Sequence, residues 1–397
     1  MKILSLFDGM ACGMIAMLKA DIKVDRYVAF EIDKYAIQTS SHNFPMIEHR
    51  GDVFEADFTE FRGFDFLVGG SPCTYWSIAQ KNNRETEASG MGWELFSQYV
   101  RALREAQPMY FIYENNKSMA KAIRESITET FGFDAVEINS SLVSAQNRQR
   151  LYWVGKRNLD GTYNRVAVDQ PEDRGILLRD VLNGNIRIPE YGNGDKSRPL
   201  NALYPNNCGG SSGETGLYAI QCGQMQVREA TKHGFTEIKP GDCVDLTQPN
   251  GKTRRGRNMA DKSNCLMTSF QYYQYCGVLG YATPCEWDEN GRPTKAVSAA
   301  DGKTYPVYEV KDGFITIKGK QYPIKLVDGC YIIRKLTVTE CMRLQTIPEW
   351  YEFPVSDTQA YKMLGNGWTV EVIKHLINAT QIDARKKWLD DLLGGCL

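Results

Sequence analysis

The chain has 397 residues, 42% of them hydrophobic and 24% charged, with a formal net charge of −1; it is long enough for a large core or two domains, and its composition is that of an ordinary soluble globular protein. No apolar run reaches the roughly 18 residues of a membrane span, and the balanced charge argues against an overall basic nucleic-acid coat while leaving room for a local basic cleft. The eleven cysteines are scattered, without a CxxC pair or a Cys/His cluster of zinc-like spacing, so neither a disulfide framework nor a metal site is expected and a reducing cytosol fits.

The opening MKILSLFDGM is broken by Asp8 and Gly9, too early for a secretory leader, and reads as a first strand over Lys2–Phe7. Further apolar runs predict strands at Tyr27–Glu31, Phe64–Gly69, Tyr110–Glu114 and Leu151–Lys156, with helices between them over Gly92–Ala106 and Ser118–Phe131. This alternation predicts an α/β fold, a doubly wound, mostly parallel sheet with helices on both faces. From 157 to 333 the texture changes to Gly, Asn, Tyr, Thr and Lys with no evident long helix, which predicts a second, mostly β domain. Within it DKSRPLNALY at 195 and DKSNCLMTSF at 261 form a faint echo. From 334 helical patterning returns. Thr337 and Glu340 are spaced as a capping box ahead of Met342 and Leu344, and YKMLGNGWTVEVIKHL reads as a Gly-Asn-Gly turn followed by a helix. Residues 334–397 are thus expected to rejoin 1–156 in one domain, with 157–333 as the other.

In such sheets ligands bind beyond the carboxyl ends of the strands, and the chemically informative residues fall there. Asp8 to Gly13 form a strand–turn–helix opening with only Gly9 and Gly13 as glycines. A pyrophosphate ligand wants three, so either a ligand without phosphates or a plain structural turn is implied. Glu31 ends VAFEID and Asp52 stands in GDV; an acid some 20 residues after a glycine turn can take ribose hydroxyls, or it can simply cap a helix. Cys73 follows Gly69-Gly70-Ser71-Pro72, an exposed turn at a strand end. That is a poor place for a buried structural cysteine and a good one for a nucleophile, which needs access and thiolate character. Glu114 leaves its strand at the same edge and could serve as a proton donor. Arg148 and Arg150, two apart in an extended segment, share a face with Gln146; two guanidiniums and an amide suit a carbonyl or phosphate oxygen.

Taken in order, FDGMACG, FEID, GDV, GGSPC, YENN, QNRQR, RKLTVTECMRLQTIP and LGNGWTVEVIKHL resemble the motifs of the DNA (cytosine-5) methyltransferase family. They cover both flanks, about 1–155 and 334–380. The opening and closing motifs look closest to the animal de novo branch, whereas uninterrupted QNRQRLYW looks bacterial or phage-like, the setting of restriction–modification. The resemblance implies a Rossmann-like fold, S-adenosyl-L-methionine as cofactor and double-stranded DNA as substrate. It also implies a target recognition domain in the variable middle. Cys73 would be the nucleophile, Glu114 would engage N3 of the cytosine, and Arg150 with Arg148 would hold its O2 and nearby phosphates. Phe7, Asp8, Gly9, Gly13, Ile32, Val53, Leu95, Asn366 and Trp368 would form the cofactor pocket, with Glu31 on the ribose and Asp52 on the adenine amine. Ser77, Gln80 and Gln146 would meet DNA, with Arg254, Arg255 and Arg257 contacting phosphates. The segment 76–93 would close as a lid. No metal is implied, and a cytoplasmic monomer in a prokaryotic or phage-infected cell is expected.

The sequence departs from the family where Ala11 and Cys12 replace further glycines, where Thr74 follows Pro-Cys, and where Asn116 follows Glu-Asn. Three competing readings carry different chemistry: the same reaction on RNA, a catalytically silent DNA-binding relative, and a dinucleotide dehydrogenase. The large middle region favours duplex DNA, since reading a groove needs a module of its own. The presence of Cys73, Glu114 and Arg150 speaks against silence, and the missing third glycine against the dehydrogenase.

Overall fold

The computed structural model describes residues 1–77, 84–181, 183 and 336–382, together with a set of strands and adjoining residues between 197 and 334. The first sheet contains β1 (Lys2–Leu6), β2 (Arg26–Phe30), β3 (Ile47–His49), β4 (Phe66–Gly69), β5 (Tyr110–Asn116), β6 (Val136–Asn139), β7 (Gln149–Arg157) and β8 (Tyr163–Arg165). Its order is β3-β2-β1-β4-β5-β7-β6, with β8 on β7. The first five strands are parallel, and β7 runs antiparallel to both β5 and β6. The five strands expected from apolar runs are all present. The short β3, β6 and β8 carry too few apolar residues to announce themselves.

Alternate side chains of each strand enter opposite faces, as the period of two demands. Ile3, Phe66, Val68, Tyr110, Ile112, Tyr152 and Val154 pack on one face, against α1 (Cys12–Lys19), α2 (Lys34–Asn43) and the C-terminal helices. Leu4, Leu6, Leu67, Phe111, Tyr113, Leu151 and Trp153 pack on the other, against α3 (Gly90–Ala106) and α4 (Lys121–Phe131). The sheet is therefore doubly wound, and aromatic residues such as Tyr99, Phe111, Tyr113 and Phe131 fill the second layer.

The chain stays on this sheet beyond the change of texture at 157: Val166, Val168, Ile176, Leu177 and Val181 pack in or beside the first core, and α5 spans Leu178–Val181. It then departs and re-enters at one place. Asn183 donates to Glu340 (2.8 Å) and Thr337 (3.0 Å), and accepts from Arg343 (2.7 Å). Between these points the described residues from 197 to 334 are strands and short adjoining turns. The largest sheet there has seven strands, in the order Asn258–Met259, Cys243–Val244, Tyr273–Gly277, Gly329–Arg334, Tyr308–Lys311, Phe314–Ile317 and Lys320–Pro323. The two DKS segments lie side by side, Ser197–Pro199 pairing in parallel with Lys262–Asn264.

After re-entry come α6 (Val338–Leu344), α7 (Asp357–Asn366) and α8 (Val370–Ala379). The capping box at Thr337 and Glu340 is formed in both directions. Gly365 and Asn366 belong to the end of α7 and Gly367 caps it, so the expected Gly-Asn-Gly turn begins two residues later than the motif suggests. Val370, Val372, Ile373, Leu376 and Ile377 then bury α8 in the first core.

Candidate active site

Strand register fixes where the site lies. Leu6 pairs with Gly69, and Gly69 with Tyr113. The next residues, Phe7, Gly70 and Glu114, therefore form one row at the carboxyl edge, between β1, where the strand order reverses, and β4 and β5. An open sheet forms its ligand crevice at such a switch point. A cleft of about 970 Å³, open mouth included, occupies that position. Its walls include Phe7, Asp8, Gly9, Met10 and Glu31 on one side, Pro72, Thr74, Glu114, Arg148 and Arg150 on the other, and Asn366 and Trp368 from the C-terminal helices.

The β1–α1 turn is built from left-handed residues: Phe7, Gly9 and Ala11 have φ of 57°, 59° and 62°. For Ala11 this conformation is unfavourable, and the turn is secured from outside. Glu31 Oε2 accepts the Gly9 amide at 2.8 Å while its Oε1 accepts Ile32 and Asp33 amides. Buried Tyr351 donates to the Met10 carbonyl at 2.6 Å. Asp8 is half-buried in the cleft wall. Its Oδ1 accepts Ser5 Oγ (2.5 Å) and Tyr27 Oη (2.7 Å), while Oδ2 has no partner. Burial pushes its pKa up to about 6. Burial likewise pushes the Cys12 thiol up to about 12, which makes it an inert packing residue.

On the opposite wall, Cys73 opens a 3₁₀ turn, Cys73–Tyr75, directly after Gly70-Ser71-Pro72. Ser71 Oγ lies 2.7 Å from Tyr113 Oη and its carbonyl accepts Asn115 Nδ2, so the turn is tied to β5. Glu114 Oε1 meets Arg150 Nε at 3.0 Å, and Trp368 Nε1 donates to Oε2 at 3.0 Å. The first contact follows from pairing, since Glu114 opposes Tyr152 and Arg150 opposes Asn116 across β5 and β7. Gly70 leaves space for this carboxyl: a Cβ there would sit 2.7 Å from the Glu114 carbonyl and 2.9 Å from Oε2.

Arg148 also lines the cleft, but its guanidinium is buried and donates to the carbonyls of Gly365 (3.2 and 3.3 Å) and Gly367 (2.8 Å). It holds the α7–α8 turn instead of facing a base as the QNRQR reading expected. Gln146 is fully buried and donates to Leu344 O and Gln345 Oε1; a side chain enclosed there has no access to DNA. Five expected cofactor residues lie off the cleft walls. Gly13 is beneath the turn, where a Cβ would meet Tyr27 Oη at 2.8 Å. Asp52 caps the 3₁₀ segment Val53–Glu55 through the Phe54 amide, Val53 is buried in the second core, and Leu95 packs beside it. Ile32 is 73% exposed. Ser77 is half-buried at the edge of the proposed lid. Beyond it Glu85 anchors the returning chain, accepting Trp76 Nε1 at 3.0 Å and the Gly92 amide at 3.2 Å. Gln80, Arg254, Arg255 and Arg257 lie outside the described residues.

Sequence reasoning missed Gln345. It is fully buried and donates to Leu364 O (2.6 Å) and Gly367 O (3.1 Å) while accepting from Thr369 Oγ1 (2.9 Å). A polar residue directly after the apolar Met342 and Leu344, at the end of α6, was the available signal.

A family model for the C-5 cytosine-specific DNA methylase matches residues 1–381. The chain belongs to that family. The methylase is 32% identical to the orphan methyltransferase M.SPRI of Bacillus phage SPR over 95% of this chain and 96% of that one. It is 23% identical to the type II methyltransferase M.FnuDI of Fusobacterium nucleatum over 97% and 96%. Among solved structures, the Entamoeba histolytica methyltransferase EhMeth shares its fold, with a TM-score of 0.52, 11% identity, and coverage of 96% of this chain and 98% of that one. The methylase is thus a DNA cytosine-5 methyltransferase of a family that uses S-adenosyl-L-methionine. Among its described residues no helix is long and apolar enough to cross a membrane, and no cluster of three or more His, Cys, Asp or Glu side chains is placed to hold a metal ion.

Proposed function

We propose that the methylase modifies C5 of a cytosine flipped out of double-stranded DNA at a defined sequence, through a covalent bond between Cys73 and C6. The observation that carries this reading is the convergence of Glu114, Arg150, Trp368 and the Cys73 turn on one edge of the cleft. A base inside a duplex cannot enter such a site, so it must leave the stack.

The cleft suits the cofactor's charge. Its cations already have partners: Arg150 pairs with Glu114, Lys362 with Asp33 at 2.6 Å, and Arg148 meets backbone carbonyls. Asp8 and Glu31 remain as carboxylate walls, and Asp8 Oδ2 is unpartnered. This environment favours a ligand bearing positive charge and disfavours a pyrophosphate. S-adenosyl-L-methionine supplies an electrophilic sulfonium methyl for transfer to C5. Phe7, Asp8, Gly9, Glu31, Asn366 and Trp368 would hold it.

The chain's own part is to make C5 nucleophilic. Glu114 supports a proton at N3 while the Cys73 thiolate adds to C6, which turns the 5,6 double bond into an enamine. After methylation, loss of the C5 proton and departure of the thiolate restore the aromatic ring. The covalent route splits one difficult step into easier ones. Arg150 orients Glu114 through its Nε contact and stands on the side of the cleft assigned to O2 of the base. The region 157–333, above all the sheets from 197 onward, is the part we assign to reading the DNA groove, and residues 76–93 are the segment we assign to closing over it.

The test is transfer of labelled methyl groups to unmethylated random-sequence duplex DNA and, in a parallel reaction, to RNA, followed by bisulfite sequencing. Label at cytosine C5 within one sequence motif supports the proposal. Label only on RNA, or cofactor and DNA binding without transfer, contradicts it.

A further inference from the structure

Trp368 touches both halves of the cleft. Its indole Nε1 donates to Oε2 of Glu114 at 3.0 Å. Its other edge lies over the first turn of α1, where a Cβ on Gly13 would come within 3.8 Å of Cζ3, and the Cys12 sulfur accepts a hydrogen bond from the Trp368 backbone. The backbone that carries Trp368 is fixed from below by Arg148 and Gln345, which donate to Gly365, Leu364 and Gly367 carbonyls. The indole itself is only half-buried and lines the cleft. The remaining freedom is rotation of a flat, rigid ring about two torsions, on a side chain that lines the cleft together with Phe7, Gly9 and Glu31.

We propose that Trp368 is the positioning residue that couples cofactor occupancy to the catalytic carboxyl: a filled cofactor side holds the indole N–H on Glu114, which keeps the carboxyl set for the incoming base. The inference rests on the proposed function above and adds to it a link between the two ligands. Thermodynamic coupling is reciprocal, so DNA must tighten cofactor binding by the factor by which cofactor tightens DNA binding. A residue with a discrete contact to each site is a physical carrier for such coupling. Arg150 holds Glu114 Oε1 from β7, remote from the turn, so it orients the carboxyl without sensing the cofactor.

The experiment measures binding of S-adenosylhomocysteine with and without saturating unmethylated random-sequence duplex DNA, and the converse, in the full chain. In the wild type each ligand is expected to tighten the other by about five-fold or more, within the usual range of allosteric coupling. Trp368→Phe removes the N–H and keeps an aromatic ring. It is expected to bring the coupling below about two-fold. A purely structural role would instead weaken binding of the lone ligands and leave their mutual coupling intact. In a Glu114→Ala background the coupling is expected to be weak already, and adding Trp368→Phe to change it no further. Full coupling in a folded Trp368→Phe variant, no coupling in the wild type, or a further drop in the double variant would each overturn the inference. If the wild type transfers no methyl group to this DNA at all, the proposed function fails; if it does and coupling survives Trp368→Phe, only the role of Trp368 fails.

Discussion

Gly70→Ala probes how closely the Pro-Cys turn and Glu114 are fitted together. A Cβ at Gly70 would meet the Glu114 carbonyl at 2.7 Å and its Oε2 at 2.9 Å, both under the 3.0 Å that real Cβ atoms respect. The carbonyl belongs to the strand ladder between β4, β5 and β7 and cannot retreat without disturbing register. The side chain is the softer partner, so Oε2 leaves Trp368 Nε1. Overpacking of this kind costs about 1–3 kcal/mol of stability. Losing a hydrogen bond to a charged group costs about 1.5–3 kcal/mol, which at the transition state corresponds to roughly a 10- to 150-fold fall in kcat. The assay is single-turnover methyl transfer at saturating cofactor and DNA, alongside thermal melting. A Gly70→Ala protein with wild-type rate and melting temperature would refute the argument that this glycine exists to admit the carboxyl.

Asp8 gives a pH signature. Burial raises its folded-state pKa from the ordinary 3.8 to about 6, so the folded chain binds a proton that the unfolded chain has released between these values. Stability therefore falls as pH rises through that window, and at neutral pH the penalty is on the order of 3 kcal/mol. Asp8→Asn is expected to melt higher than the wild type at pH 7.5, with the difference vanishing near pH 4, and to bind S-adenosylhomocysteine more weakly; an unchanged gap across pH would contradict this. Tyr351→Phe leaves the buried Met10 carbonyl without its donor and is expected to cost about 1–3 kcal/mol, read by denaturant unfolding. Arg148→Met strips three contacts from the Gly365 and Gly367 carbonyls. Its expected effects are a loss of several kcal/mol and a raised cofactor KM, with DNA affinity little changed.

The parts of this site that were legible in the sequence are those fixed by strand periodicity and strand ends. Phe7 and Glu114 could be put on one edge because each follows an apolar run in a strand–helix alternation, and the pairing of Leu6, Gly69 and Tyr113 just before them agrees. What could not be read depends on long-range packing. Gln146 and Arg148 share an extended segment with Arg150, but the face they share is covered by α6 and the α7–α8 turn, two hundred residues further on. Nothing local distinguishes an arginine that faces a ligand from one that holds a distant carbonyl. Trp368 stands out by its motif, yet its bond to Glu114 appears only once β5 and the end of α7 are adjacent. The short strands β3, β6 and β8 escaped because three or four residues carry almost no periodic signal.

The most direct measurement is covalent trapping. The protein is incubated with S-adenosyl-L-methionine and random-sequence duplex DNA containing 5-fluorocytosine, whose fluorine cannot leave as the C5 proton does. A denaturing gel and mass spectrometry are expected to show a DNA adduct on Cys73 that is absent in Cys73→Ser. An adduct on another residue, or methylated DNA formed by Cys73→Ser, would contradict the assignment of Cys73 as the nucleophile.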